Sequence, residues 1–374
     1  MKKVLVIPDS FKGTMTSSEI CGIMASSIKK FYPAAEVISL PVADGGEGSV
    51  DAFLSALGGE KKPVRVSGPF FDEIDSFYGI LSDGKTAVIE MAACAGLPLS
   101  TDNLNPEKTT TYGAGQLIAD AVASGCTKII MGLGGSATND GGTGVAAALG
   151  VQFLDADGQS FVPTGGTLSN IAHIDTAGLL PALKTVELVS MCDIDNPLYG
   201  EQGAAYIFGP QKGATPDMVH SLDAGLKNLA RVVKADMKKD LADMHGAGAA
   251  GGMGYGMKAF LDSALQMGIE TVLDTVHFDE LVRGADAVFT GEGKIDTQSL
   301  RGKVVIGIAR RTKKAAVPLI ALVGDIGEGI EEAYELGVTA IFSINRVAVE
   351  YAKARLRAKT DLALTMDSIL RVFR

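Results

Sequence analysis

Residues 128–150 read KIIMGLGGSATNDGGTGVAAALG. The stretch opens with Ile129, Ile130 and Met131, an apolar run short enough to be one buried strand. It closes with VAAAL (145–149), a short helix stopped by Gly150. Between them lie Gly132, Gly134, Gly135, Gly141, Gly142 and Gly144, interleaved with Ser136, Thr138, Asn139 and Asp140. Glycine allows positive φ and lets a ligand approach without meeting a Cβ. A glycine turn between a strand and a helix start also presents unsatisfied N–H groups to an anion. The stretch therefore reads as a phosphate-binding turn in an α/β fold.

Which kind of turn needs weighing. Gly132, Gly134 and Ala137 fit the dinucleotide pattern G-x-G-x-x-A after a strand, and Asp155 sits where a ribose-binding acid belongs. Against this, NDGG (139–142) breaks the helix that should begin at the second or third glycine, and the remaining helix is short for a crossover. A dehydrogenase using the turn for NAD stays as an alternative. The pattern G-x-x-x-x-G-K-[ST] occurs at 79–86 (GILSDGKT), but in a strand-like stretch with a hairpin turn at 82–84 rather than between a strand and a helix, which argues against a Walker-type nucleotide loop.

Outward from the turn, the bulk properties narrow the class. The chain has 374 residues, long enough for two domains. Glycine is 46 of them, about 12%, against roughly 7% on average. With no Trp and 6% aromatics, the cores must be mainly aliphatic. A net charge of −10 argues against nucleic acid, whose phosphates demand a basic footprint. An anionic substrate must then be captured by local amides, lysines or a bound cation. Cys21, Cys94, Cys126 and Cys192 form no C-x-x-C pair, which suits a reducing compartment. The apolar run 4–7 is too short for a signal peptide, and no run approaches membrane-spanning length. The expectation is a cytoplasmic protein without a membrane partner.

The chain order shows how the turn is framed. Residues 4–7 read as a strand, and TSSE (16–19) as a capping box opening a helix with Ile20, Ile23, Met24, Ile28 and Phe31 on one face. A second strand at 37–40 ends in ADGGEG (43–48), and a helix over 47–57 stops at Gly58. This is the βαβα rhythm of a parallel sheet. From 64 to 91 the pattern is strand-like, with a hairpin turn at 82–84. A helix over 111–123 leads into the glycine turn. Further strands are expected at 151–154, 186–191 and 205–208. Thr215 and Pro216 start a helix reaching about 237, and a second glycine cluster, HGAGAAGGMGYG (245–256), precedes another helix. The βα rhythm returns with a strand at 287–289, the loop TGEGKIDTQS (290–299), a helix after Gly302, strands at 319–323 and 340–344, and helices at 328–336 and 348–373. The two chain ends look alike. The expected architecture is α/β with two domains: a Rossmann-like parallel domain from residues 1–69 plus 285–374, and an inserted α/β domain over 70–284.

Several residues suit phosphoryl chemistry. DIDNP (193–197) follows an apolar strand, and alternate positions on an extended chain put Asp193 and Asp195 on one face. Paired acids past a strand end suit a metal–phosphate site or a general base; the bland reading is a solvated acidic turn. Lys12, Lys212, Lys294 and Lys303 stand beside glycine turns, where lysine neutralises phosphate. His173, His220, His245 and His277 show no triad or metal-ligand spacing.

Taken together, DSFKG (9–13), ADGGEG (43–48), the turn at 132–142, CDIDNPL (192–198), GPQKG (209–213) and the segment 290–303 resemble the bacterial type I glycerate kinase family. The resemblance spans essentially the whole chain. It implies ATP-dependent phosphorylation of D-glycerate, with 2-phosphoglycerate the product usual for the class, in a two-domain α/β enzyme with its site in the cleft. Mg²⁺ is the expected cofactor. The resemblance marks these motifs as functional without assigning the acids; the reaction needs one to take the hydroxyl proton, for which Asp193 is the candidate, with Asp195 and Asp44 helping to hold Mg²⁺ or the substrate hydroxyls. Lys12 and Lys212 are candidates for catalytic charge neutralisation. Substrate contacts are expected from Asp9, Ser10, Asp44, Asn139, Asp140, Asn196, Lys294 and Asp296. Gly134, Gly135, Ser136, Gly251, Gly252, Glu292 and Gly293 are expected at the nucleotide phosphates. The sequence leaves open phosphorylation at the 3-hydroxyl and the oligomeric state, a homodimer included. A silent ligand-binding protein would have less use for paired acids beside an anionic ligand.

Overall fold

The structure is a computed structural model that describes residues 1–42 and 45–373. Asp44, an expected metal and substrate ligand, lies outside the described residues. Among those described, fourteen strands occur: β1 (Lys3–Val6), β2 (Glu36–Ser39), β3 (Gly59–Ser67), β4 (Glu73–Leu81), β5 (Thr86–Glu90), β6 (Lys128–Gly132), β7 (Gln152–Leu154), β8 (Ser160–Phe161), β9 (His173–Asp175), β10 (Glu187–Met191), β11 (Ala264–Gln266), β12 (Ala287–Ile295), β13 (Leu319–Ile326) and β14 (Ala340–Ser343). The chain falls into two compact units. Unit 1 is Met1–Asp44, Ser55–Leu57 and Met267–Arg374; unit 2 is Gly45–Leu54 and Gly58–Gln266.

Unit 1 is built on a parallel sheet ordered β14-β13-β12-β1-β2. Val4 and Val6 of β1, Phe289 of β12 and Leu322 of β13 are buried against Ile20, Met24 and Ile28 of helix Ser17–Phe31 and Leu362 and Met366 of helix Tyr351–Val372. The capping box forms as its spacing predicts: Thr16 accepts from the Glu19 N–H, and the Glu19 carboxylate accepts from the Thr16 N–H at 2.9 Å. Strand order reverses between β1 and β12. Beyond β1 the ladder continues as Ile7 N–H to Phe289 O and Asp9 N–H to Gly291 O, both 2.8 Å. The residues after both central strands therefore emerge side by side.

Unit 2 holds a six-stranded sheet ordered β11-β10-β6-β5-β4-β3, parallel from β11 to β5 and antiparallel from β5 to β3. Its register aligns Glu90, Gly132 and Met191 at the carboxyl ends of β5, β6 and β10. Helix Tyr112–Ala123 buries Ala114, Leu117, Ile118 and Ala121 in the sheet core. A second core joins Leu222, Leu226 and Leu229 of helix Pro216–Met237 to Phe153, Tyr255 and Phe260. Thr215 caps that helix by accepting from Met218 N–H, with Pro216 in its first turn.

Three expected elements differ. The run 205–208 is not a strand but part of helix Ala204–Phe208; Ala205 is buried while Ile207 is 43% exposed, whereas a strand would put both on one face. Residues 290–295 are not loop: β12 runs on through them, pairing Glu292 with Val323 and Ile295 with Ile326. The helix expected over 328–336 shrinks to Glu332–Leu336.

Candidate active site

The glycine turn of unit 2 is organised by close backbone approach. A Cβ on Gly132 would lie 2.3 Å from the carbonyl oxygen of Gly45, so the loop 45–48 can lie on the turn only because position 132 has no side chain. The N–H of Gly134 is donated to that same Gly45 oxygen at 2.9 Å. Gly135 accepts from Leu97 N–H, and Ser136 bridges to Gly96. The helix that follows, Thr143–Ala148, is six residues long and starts from left-handed Gly142. It is too short for the crossover of a dinucleotide-binding unit.

Asp140 is fully buried, and its carboxylate is spent inside the protein. One oxygen accepts the N–H and hydroxyl of Thr111 at 2.7 and 2.8 Å and the Gly144 N–H at 3.3 Å; the other accepts Gly142 N–H at 3.1 Å. Burial pushes its carboxyl up, and those donors act against the rise. Lys212 is buried as well. Its ammonium donates to Ser136 Oγ at 2.8 Å and to the Thr138 carbonyl at 2.6 Å. Burial brings its pKa down to about 7, with the Asp140 charge acting in the opposite direction. Lys212 thus holds the turn. Between the two, Asn139 has 0% exposure, and among the described residues neither side-chain amide atom finds a partner, nor does the Thr138 hydroxyl. Orphaned buried polar atoms of this kind mark a place for a ligand or an ordered water.

The second glycine cluster packs against the first. Gly251 has φ +68°, and a Cβ there would lie 1.9 Å from the Thr138 oxygen. Gly141 N–H donates to Gly251 O, and Gly252 N–H to Gly248 O. Ala250, Gly251 and Gly252 kink helix Ala249–Leu261, and Gly251 and Gly252 are buried. Both glycines pack directly behind the turn.

After β10, Asp193 is half-buried and Asp195 is exposed, 3.4 Å from His245 Nδ1. Asn196 donates through its side chain to Gln202 O at 2.8 Å and accepts Gly248 N–H through its backbone. Sequence reasoning missed Glu90. This buried acid accepts the Gly48 N–H at 3.1 Å and the Val50 N–H at 2.6 Å, tying the loop 45–48 to β5. Burial raises its pKa, opposed by those amides. The available signal was a charge ending the apolar run 87–89.

In unit 1 the structure gathers Asp9, Ser10, Lys12, Glu292, Gly293, Lys294 and Asp296 after β1 and along the carboxyl end of β12. Ser10 N–H donates to the Asp9 carboxylate at 2.6 Å, and Gln298 N–H to Asp296 at 2.9 Å. Lys12 and Lys294 are exposed, and Phe11 bridges to Met15 to close the loop. Glu292 is 6% exposed, its Oε1 without a partner among the described residues. Burial pushes its pKa up to about 7; the Ser299 hydroxyl and Lys303 pull it down, while Asp9 and Asp296 add to the rise. The reversal of strand order in an open α/β sheet is where ligands bind, outside the carboxyl ends.

No group of three or more His, Cys, Asp or Glu placed to hold a metal ion occurs among the described residues. Asp195, exposed after β10, offers hard carboxylate oxygens, a donor type that suits Mg²⁺ as a partial ligand completed by phosphates and water.

The sequence model of the glycerate kinase family matches residues 4–374. The chain is 45% identical to a glycerate kinase of Halalkalibacterium halodurans, covering 92% of this chain and 91% of that one. It is 43% identical to the glycerate 2-kinase of Escherichia coli K12, covering 91% and 90%. A crystal structure of a protein provisionally designated glycerate kinase 2, from Salmonella typhimurium LT2, superposes with a TM-score of 0.88 at 38% identity, covering 100% of this chain and 98% of that one.

Proposed function

We propose, because this chain belongs to the glycerate kinase family, that it transfers the γ-phosphoryl group of ATP to the 2-hydroxyl of D-glycerate. It is an enzyme, a kinase acting on glycerate, and the whole-length family match carries that reading. The short helix after the glycine turn and the occupied Gly134 amide support it over NAD binding.

In the reaction the glycerate hydroxyl oxygen bonds to the γ-phosphorus, the bond to the β-phosphate bridging oxygen breaks, and ADP leaves. Phosphoryl transfer is mostly positioning and charge neutralisation. Asp193 takes the hydroxyl proton. Lys12 and Lys294, exposed in unit 1, neutralise phosphate or the glycerate carboxylate. Lys212 holds the turn that carries Ser136 and Asn139, where Asn139 offers amide N–H donors and a carbonyl acceptor to the substrate. Asp195 would contribute oxygen to Mg²⁺, which when bound offsets charge on the phosphates. Three of the four cysteines are buried and none is in a disulfide, which supports a cytoplasmic setting.

The test is ADP release from Mg-ATP with D-glycerate, followed by phosphorus NMR of the product. A 2-phosphate ester is expected. A 3-phosphate ester would keep the kinase and overturn the regiochemistry, and absence of turnover would reject the reaction.

A further inference from the structure

Glu292 is the one site residue whose expected role conflicts with its chemistry: an ionised carboxylate repels phosphate. Three observations in unit 1 bear on what it does. It lies near the end of β12, beside β1, where the strand order reverses. It is nine-tenths buried, yet Oε1 has no partner among the described residues. The charged groups facing it are Asp9, from the loop after β1, and Asp296 and Lys303, from the segment after β12, with the Ser299 hydroxyl alongside. A buried acceptor left open costs free energy unless something outside the chain completes it.

We propose that Glu292 is a binding residue whose free carboxylate oxygen accepts a hydrogen bond from a ligand hydroxyl at the β1–β12 switch point. A hydroxyl is the group that fits: the flanking acids would repel a second carboxylate or a phosphate. Such hydroxyls are carried by the ribose of ATP and by glycerate, so the inference rests on the kinase reading for its ligands. Only the ionised form can accept through both oxygens, and burial puts that ionisation near neutrality. Binding of the hydroxyl-bearing ligand therefore weakens as the pH falls from about 8 to 6.

The experiment measures kcat and both KM values across that pH range for the wild type and for Glu292→Gln, which keeps the volume and removes the charge. One KM is expected to rise about ten- to a hundred-fold in the variant, the range of a hydrogen bond to a charged group. That same KM should climb toward acid in the wild type and be flat in the variant. A rise in KM for ATP identifies the ribose, and a rise in KM for glycerate identifies the substrate. Unchanged KM values overturn the inference, as does an acid limb that persists in the variant. A fall in kcat alone also overturns it, because that would make Glu292 a proton-handling group. Should the wild type not turn over glycerate, the kinase reading fails separately. Calorimetric titration with ATP and with D-glycerate at pH 6 and 8 then decides: the inference survives only if one of them binds more tightly at pH 8 in the wild type and not in the variant.

Discussion

Glu292 couples stability to pH in a way opposite to most carboxylates. Its folded pKa is raised from 4.5 to about 7, so its stabilising contribution is fully present below 4.5 and is lost as pH rises through 7. Glu292→Gln should therefore stabilise the protein at pH 8 by up to about 3 kcal/mol and change little at pH 4. Urea unfolding at the two pH values checks this; equal effects at both would refute the raised ionisation. Asp193→Asn should lower kcat by roughly 10²–10⁴ with fold and KM largely kept, the usual weight of a general base. A near-wild-type kcat removes Asp193 from that role. Lys212 shows the limit of reading single residues from sequence. GPQKG marks a lysine near phosphate chemistry, but its partners Ser136 and Thr138 lie 76 and 74 residues away, and only folding reveals that they occupy its ammonium.

Elements whose signals are local came through intact. The Thr16 capping box and the Thr215–Pro216 start depend on contacts within four residues, so spacing alone specifies them. Thr16→Ala should cost about 1 kcal/mol in urea unfolding. The kinked helix Ala249–Leu261 behaves differently. Its left-handed stretch at 250–252 exists because the backbone of 138–142 presses against it. Gly251→Ala combines a left-handed φ with a 1.9 Å backbone approach and should cost more than about 3 kcal/mol. A variant as stable as the wild type would show that the two glycine clusters can part. Helix Ala204–Phe208 departs from the expected strand because four apolar residues carry no period, and burial on a neighbouring helix chose the conformation.

At the scale of the molecule, turnover should depend on a divalent cation. Removing divalent cations with excess EDTA should lower turnover about a hundred-fold or more, and Mg²⁺ should restore it; full activity in EDTA would exclude the role proposed for Asp195. The α/β class, the apolar strands 4–7 and 129–131, the capped helices and the family resemblance were legible in the sequence. Each rests on local periodicity, on turn chemistry, or on motifs kept in order along the chain. Tertiary structure alone decided which glycine amides are already spent, that Asp140 and Lys212 support the turn, that Glu90 ties a distant loop to β5, and that Glu292 and Asn139 keep polar atoms without a partner among the described residues. The physical reason is that hydrogen-bond satisfaction and desolvation are properties of residues brought together across long sequence separations, and no local pattern records them.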